Sequence, residues 1–122
     1  MSTGGGHLQA ARPVSQEALQ EIVCRLVRVA QPEKIILFGS AARGTLGPNS
    51  DVDLLVIKAG QVHRGQLTDE IYMNLWGVEY PVDVIVVSPE DVERYRNSPA
   101  LVIAPALSEG RVIYDAAKVR TG

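Results

Sequence analysis

The chain has 122 residues, of which 46% are hydrophobic and 21% are charged. This composition is typical of one globular domain and excludes disordered, collagen-like and multidomain proteins. The 12 lysines and arginines against 14 aspartates and glutamates give a net charge of −2, which disfavours nucleic acid as a substrate. No apolar run approaches the roughly 20 residues that span a bilayer, and the start lacks the apolar stretch of a secretory signal, so we expect a cytoplasmic protein.

The first part of the chain changes abruptly in composition near Ser15. Residues 1–13 include three consecutive glycines and mostly small or polar side chains, which predicts a flexible tail before a single domain over residues 14–122. From about Ser15 to Ala30, apolar residues recur with helical spacing after a serine cap, so we predict a helix that Pro32 ends.

Three short apolar runs follow, and each predicts a strand. Lys34–Phe38, Val52–Ile57 and Val82–Val87 are nearly continuous in apolar residues, which is typical of strands buried on both faces. Apolar residues four apart predict a helix between Gln61 and Trp76. Residues 111–114 predict a final short strand.

Two proline-containing signals mark short helices late in the chain. Ser88-Pro89 is followed by two acids, and this combination is typical of a capped helix start. Ser98-Pro99 repeats the signal for a last helix, which Pro105 should kink or split. The order of helices and strands predicts an α/β fold with a small sheet.

The segment after the first strand has a composition suited to binding phosphate. Gly39-Ser40 follows the strand directly and leads into an alanine-rich stretch, so backbone N–H groups could point at phosphate oxygens. Gly39 would allow close approach. Taken alone, the pair is more often a plain turn.

Three aspartates strengthen the interpretation of this region as a phosphate-binding site. Asp51 and Asp53 lie two apart at the start of a strand, so their carboxylates are expected on one side while Val52 points into the core. Asp83 lies in an otherwise apolar strand and could join them. Such a carboxylate group suits Mg²⁺, and two ions could stabilise the attacking and leaving oxygens of a displacement at phosphorus. Solvated acids at strand entrances are the alternative.

The segments Phe38–Gly44 and Ser50–Leu54, with Asp83 on a later strand, resemble the polymerase-beta-type nucleotidyltransferase superfamily. Their detail is similar to the minimal nucleotidyltransferase (MNT) proteins. The resemblance covers about residues 35–87 and, more loosely, residues 109–114. It implies a small mixed β-sheet flanked by helices, and transfer of a nucleoside monophosphate from a Mg²⁺-bound triphosphate, with ATP as the expected substrate.

The resemblance also implies roles for individual residues. Gly39 and Ser40 would hold the terminal phosphates. The metal ligands would be Asp51, Asp53 and Asp83, and Asp83 would also orient or deprotonate the acceptor hydroxyl.

Two more residues are candidates for the nucleotide site. Arg43 would neutralise phosphate charge, with a surface arginine as the alternative. Ser50 would cap or orient the loop before the strand, although a plain turn residue is the favoured interpretation. His7 and His63 have no second ligand at metal spacing and are not expected to bind metal.

The residues do not identify the molecule that would accept the nucleotide. In the family that this chain resembles, MNT proteins pair with helical HEPN-type toxins and adenylylate a toxin tyrosine, which implies the antitoxin of such a pair. The alternatives are a non-catalytic antitoxin that binds its partner sterically, and an enzyme that modifies a small molecule such as an aminoglycoside in a pocket completed by a homo-oligomer.

Four aromatic residues could stack on a nucleotide base. For all four, packing in the core or in an interface is the favoured interpretation. They are Tyr72, Trp76, Tyr80 and Tyr95.

Overall fold

A computed structural model of the chain describes residues 15–42, 51–98 and 103–121. Within these ranges one sheet has the strand order β3-β2-β1-β4. The strands are β1 (Lys34–Phe38), β2 (Val52–Ile57), β3 (Val82–Val87) and β4 (Arg111–Asp115). β1 is antiparallel to β2 and to β4, whereas β2 and β3 run parallel, so the expected small mixed sheet is confirmed.

Helices connect and cover these strands. They are α1 (Gln16–Ala30), α2 (Gly39–Ala42), α3 (Arg64–Asn74), α4 (Pro89–Tyr95), α5 (Ile103–Glu109) and α6 (Ala116–Thr121). The first helix and the helix predicted between Gln61 and Trp76 are confirmed, as is the helix start at Ser88. α6 was not predicted from the sequence.

Alternating residues of the central strands build two separate cores. The core on one face combines α1 and α3 with side chains that include Ile35, Leu54 and Val84. The core on the other face combines α4 and α5 with side chains that include Ile36 and Leu55. Both faces of β1 and β2 are therefore covered, which is why their sequences are continuously apolar rather than alternating.

Polar contacts fix the helices that form the first core. Ser15 caps α1 by accepting a hydrogen bond from the Ala18 N–H at 3.0 Å. From the exposed side of α1, the Arg25 guanidinium donates to the backbone oxygens of Asn74 at 3.2 Å and Trp76 at 2.8 Å. These carbonyls lie at the C-terminal end of α3, where an arginine satisfies groups that the helix leaves unpaired.

The split expected at Pro105 does not occur in α5, which continues through this residue. As described, α5 begins at Ile103, so Pro105 is its third residue and the helix continues to Glu109. At such a position the helix needs no N–H from the proline, and the ring causes no break. The predicted start at Ser98-Pro99 lies partly outside the described residues.

Other sequence predictions fall on parts of the chain that are not described. The tail predicted over residues 1–13 is among them, and the single-domain assignment over residues 14–122 stays a prediction. In the described ranges, none of the helices combines the length and the apolar character needed to cross a bilayer.

The start of α4 contains the most complete capping arrangement in the described chain. Ser88 Oγ accepts from the Asp91 N–H at 3.0 Å, and Asp91 Oδ2 accepts from the Ser88 N–H at 3.1 Å. Arg64 lies 2.7 Å from the same carboxylate oxygen. The hydrogen bond from the Ser88 backbone, more than the nearby arginine, lowers the pKa of Asp91.

We predict that Asp91→Asn destabilises the protein by about 0.5 kcal/mol at pH 7, since it removes a charge from a helix N-terminus. Because the pKa of Asp91 is lowered by folding, its stabilising effect is present at neutral pH and is lost as the pH falls through that pKa. Urea unfolding from pH 3 to pH 7 measures the difference. Asp69→Asn, an exposed position on α3, is the matched control, and an equal pH dependence in both variants would contradict the prediction.

Candidate active site

The in-register pairing of β2 with β3 places two carboxylates side by side. Asp53 pairs with Asp83 across the parallel strands and with Phe38 across the antiparallel strands. Adjacent strands lie about 4.8 Å apart, and paired residues project from the same face. The carboxylates therefore meet where β2 and β3 begin and β1 ends, on the face that Leu55 and Ile57 share with α4 and α5.

Asp51 lies just before β2 rather than in it, and it is exposed. Val52 between the two acids is fully buried, as the alternation predicts. Asp53 is half-buried, and its pKa is raised by this burial first, and then by the negative charges of Asp83 and Asp51. The three acids thus act on one another electrostatically, with Asp53 at their centre.

A divalent cation is the ligand whose chemistry suits these acids. Among residues 15–42, 51–98 and 103–121, no three His, Cys, Asp or Glu side chains are gathered closely enough to hold a metal ion. The metal site predicted at Asp51, Asp53 and Asp83 therefore stays a prediction. The donor set fits it chemically, because hard carboxylate oxygens are the ligands that Mg²⁺ prefers, and a cation would relieve the repulsion among the three acids.

Gly39 forms the wall of the site on the β1 side. Its φ of +72° is in the left-handed region, where the chain leaves β1 and enters the single turn of α2. A Cβ on Gly39 would overlap the Oδ2 atom of Asp53. Only glycine therefore combines this backbone conformation with the close approach to the carboxylate.

The other predicted nucleotide-binding residues are only partly described. Ser40 is the second residue of α2. Arg43 and Ser50 lie outside the described residues, so their roles stay predictions. His63 caps α3 by accepting a hydrogen bond from the Gln66 N–H at 3.1 Å, which gives this histidine a structural role.

Tyr72 is a site residue that the sequence analysis assigned to packing. Its hydroxyl donates to Asp83 Oδ1 at 3.2 Å and accepts from the Val84 N–H at 2.7 Å. Burial is the first cause that raises the pKa of Tyr72, and the neighbouring carboxylates raise it further, against the opposing effect of the Val84 N–H. The only feature of the sequence that could have indicated this contact is the position of Tyr72 on the predicted helix that directly precedes the strand of Asp83.

Trp76 does not pack in the core, because its side chain is 86% exposed. Packing in an interface, the other expected role, stays a prediction. Together with Tyr72, Tyr80 and Val82, Trp76 lines an open cavity of about 390 Å³ between the end of α3 and the start of β3. Tyr80 and Tyr95 do pack against the cores, as expected.

We predict that Asp53→Asn raises the melting temperature of the metal-free protein by a few degrees at pH 7. Because folding raises the pKa of Asp53, the wild type loses stability as the pH rises through that pKa, and Asn cannot lose a proton. The difference should vanish below about pH 3, where the carboxyl is protonated in both states. Calorimetry in EDTA measures both effects.

Added Mg²⁺ should then stabilise the wild type and leave Asp53→Asn unchanged, since binding to the folded state raises its stability. Glu70→Gln, an exposed substitution on α3, is the control and should behave as the wild type does. An Asp53→Asn protein that melts below the wild type in EDTA at pH 7 would contradict the electrostatic account.

Similarity to solved structures concerns the fold. A candidate nucleotidyltransferase from Sulfolobus solfataricus is 19% identical, with 86% of this chain and 93% of that chain covered and a TM-score of 0.51. A toxin–antitoxin complex solved with AMP-PNP contains a chain that is 23% identical, with 82% of this chain and 76% of that chain covered and a TM-score of 0.51.

A variant of the MntA–HpeT toxin–antitoxin complex gives a similar result, at 19% identity with 82% of this chain and 75% of that chain covered and a TM-score of 0.52. Comparison with curated proteins gives no match. Residues 17–113 match the family model for the nucleotidyltransferase domain. This match spans the carboxylates, Gly39, the first three strands and the first three residues of β4, and the chain therefore belongs to the nucleotidyltransferase domain family.

Proposed function

We propose that the chain is a minimal nucleotidyltransferase that transfers AMP from Mg²⁺-ATP to a hydroxyl group, with a tyrosine of a separate HEPN-type toxin as the acceptor. The observation that carries this proposal is the pairing of Asp53 with Asp83, beside Asp51 and against the Gly39 backbone. Family membership supplies the reaction class, and these residues supply the charges that such a reaction needs.

In this proposal Gly39 and Ser40 hold the terminal phosphates, and Arg43 offsets their charge while Ser50 orients the loop before β2. The half-buried Asp53 and the exposed Asp51 would hold Mg²⁺ together with Asp83. When bound, the ion supplies positive charge to the phosphate oxygens and to the leaving pyrophosphate.

The transfer step forms one bond to phosphorus and breaks another. The acceptor oxygen forms a bond to the α-phosphorus, and the bond between the α-phosphorus and the bridging oxygen breaks, which releases pyrophosphate. Asp83 takes the proton of the acceptor hydroxyl, since of the two exposed carboxylates it is the one on β3, at the open edge of the described sheet. The acceptor hydroxyl must also be positioned against the α-phosphorus, and such positioning accounts for much of the rate in reactions of this kind.

A protein acceptor is favoured by two observations. The exposed Asp51 and Asp83 are open to a group presented from outside the chain. Chains of similar fold are found in toxin–antitoxin complexes, one of them solved with AMP-PNP. By this analogy we extend the proposal to a toxin partner, to ATP as the donor and to a cytoplasmic pair of proteins.

We predict that incubation with labelled ATP, Mg²⁺ and the product of the neighbouring gene adds one AMP to a tyrosine of that product. Mass spectrometry of the partner measures the transfer. Asp53→Asn should lower it by at least a hundredfold, because it removes a central ligand and charge. Glu70→Gln should transfer AMP at the wild-type rate.

Other outcomes select other functions. Silencing of the partner's toxicity by Asp53→Asn, without modification, would replace this proposal with a steric antitoxin. Labelling of a hydroxylated small molecule, with no labelling or binding of the partner, would replace it with a small-molecule nucleotidyltransferase.

Gly39 gives a second, independent prediction. Gly39→Val should weaken binding of Mg²⁺-ATP at least tenfold, because the new side chain overlaps Asp53 and forces a strained backbone conformation. Ser40→Ala should weaken it less. Calorimetric titration with AMP-PNP measures the affinities, a melting curve of each variant checks the fold, and equal affinity of a folded Gly39→Val would refute the proposed phosphate site.

A further inference from the structure

We propose that Tyr72 is a positioning residue that holds the Asp83 carboxylate in place for the transfer reaction. This assignment rests on the proposed function of Asp83. It concerns a residue of α3, a helix on the opposite face of the sheet from α4 and α5.

The hydroxyl of Tyr72 is itself fixed at two points. It accepts from the Val84 N–H at 2.7 Å, so its oxygen is tied to the backbone of the strand that carries Asp83. It donates its single proton to Asp83 Oδ1 at 3.2 Å. The donor therefore moves with β3 and keeps a constant relation to the carboxylate.

Asp83 needs such a partner because of where it lies. β3 lies at the edge of the sheet formed by the described strands, and the Asp83 side chain is exposed, so burial in a core does not restrict its rotamers. The negative charges of Asp53 and Asp51 would favour a rotamer that turns away from them. A hydrogen bond to one oxygen opposes this rotation and leaves the other oxygen available to the site.

The helix that carries Tyr72 is also well anchored. Ile71, which precedes the tyrosine in α3, is buried in the first core. Leu75, which directly follows the last residue of α3, is buried in the same core. Arg25 from α1 holds the C-terminal end of the same helix through the carbonyls of Asn74 and Trp76. The tyrosine thus connects the packed layer of α1 and α3 to an exposed carboxylate.

The test compares Tyr72→Phe with the wild type and with Tyr114→Phe. Tyr114 pairs with Ile35, at the end of β1 away from Gly39, so its hydroxyl is a matched control remote from the acids. Loss of a hydrogen bond to a charged group should lower kcat for AMP transfer roughly tenfold, with KM for ATP changed less than about twofold. Tyr114→Phe should retain the wild-type kcat.

A second measurement does not depend on turnover. Titration with Mn²⁺ in the presence of AMP-PNP, followed by electron paramagnetic resonance, should give an affinity several-fold weaker for Tyr72→Phe than for either comparison protein. A wild type that binds Mn²⁺ but transfers no AMP would overturn the proposed function, while the affinities would still test the role of Tyr72.

Melting curves separate positioning from folding. A Tyr72→Phe protein that is folded at the assay temperature, with reduced kcat and weaker Mn²⁺ binding, supports the proposal. A lower melting temperature with unchanged kcat and Mn²⁺ affinity would overturn it and leave Tyr72 with a purely structural role at the Val84 N–H.

Discussion

Repulsion between carboxylates at one end of the sheet is the constraint on which the site depends. Asp53 and Asp83 are neighbours only because β2 and β3 pair in parallel and in register. A slip of one residue would move Leu54 and Leu55 to the wrong faces of a sheet that is buried on both sides. The two cores thus hold the like charges together, and the pKa of Asp53 is raised first by burial and then by the charges of Asp83 and Asp51.

Much of the fold could be predicted because its signals are local. Continuous apolar runs identify Lys34–Phe38 and Val52–Ile57 as strands, and Ser88-Pro89 identifies a helix start that a capping box completes. Pro105 was misjudged because the effect of a proline depends on its position in the helix, and its sequence context does not reveal where α5 begins. The exposure of Trp76 likewise depends on tertiary packing, which residue type alone does not determine.

The site could be predicted only in part, for a related reason. The acids and Gly39 form recognisable spacings along the chain, whereas their mutual distances depend on strand register. The overlap between a Gly39 side chain and Asp53 follows from pairing of β1 with β2, which no local pattern encodes. Tyr72 was missed because a phenol beside apolar helix residues has the same local pattern whether its hydroxyl meets water or a carboxylate.

The two sides of the acidic group differ in a way that determines how an acceptor can approach. On the β1 side, the Gly39 backbone lies against Asp53 and leaves no room for a side chain. On the opposite side, β3 is the sheet edge, and Tyr72 occupies the Val84 N–H that a strand would otherwise present for pairing. The exposed carboxylates of Asp51 and Asp83 therefore face solvent between these two walls. In the proposed reaction, an acceptor hydroxyl would enter from that solvent side, past carboxylates that repel an anion, and this charge favours a neutral hydroxyl over an anionic acceptor.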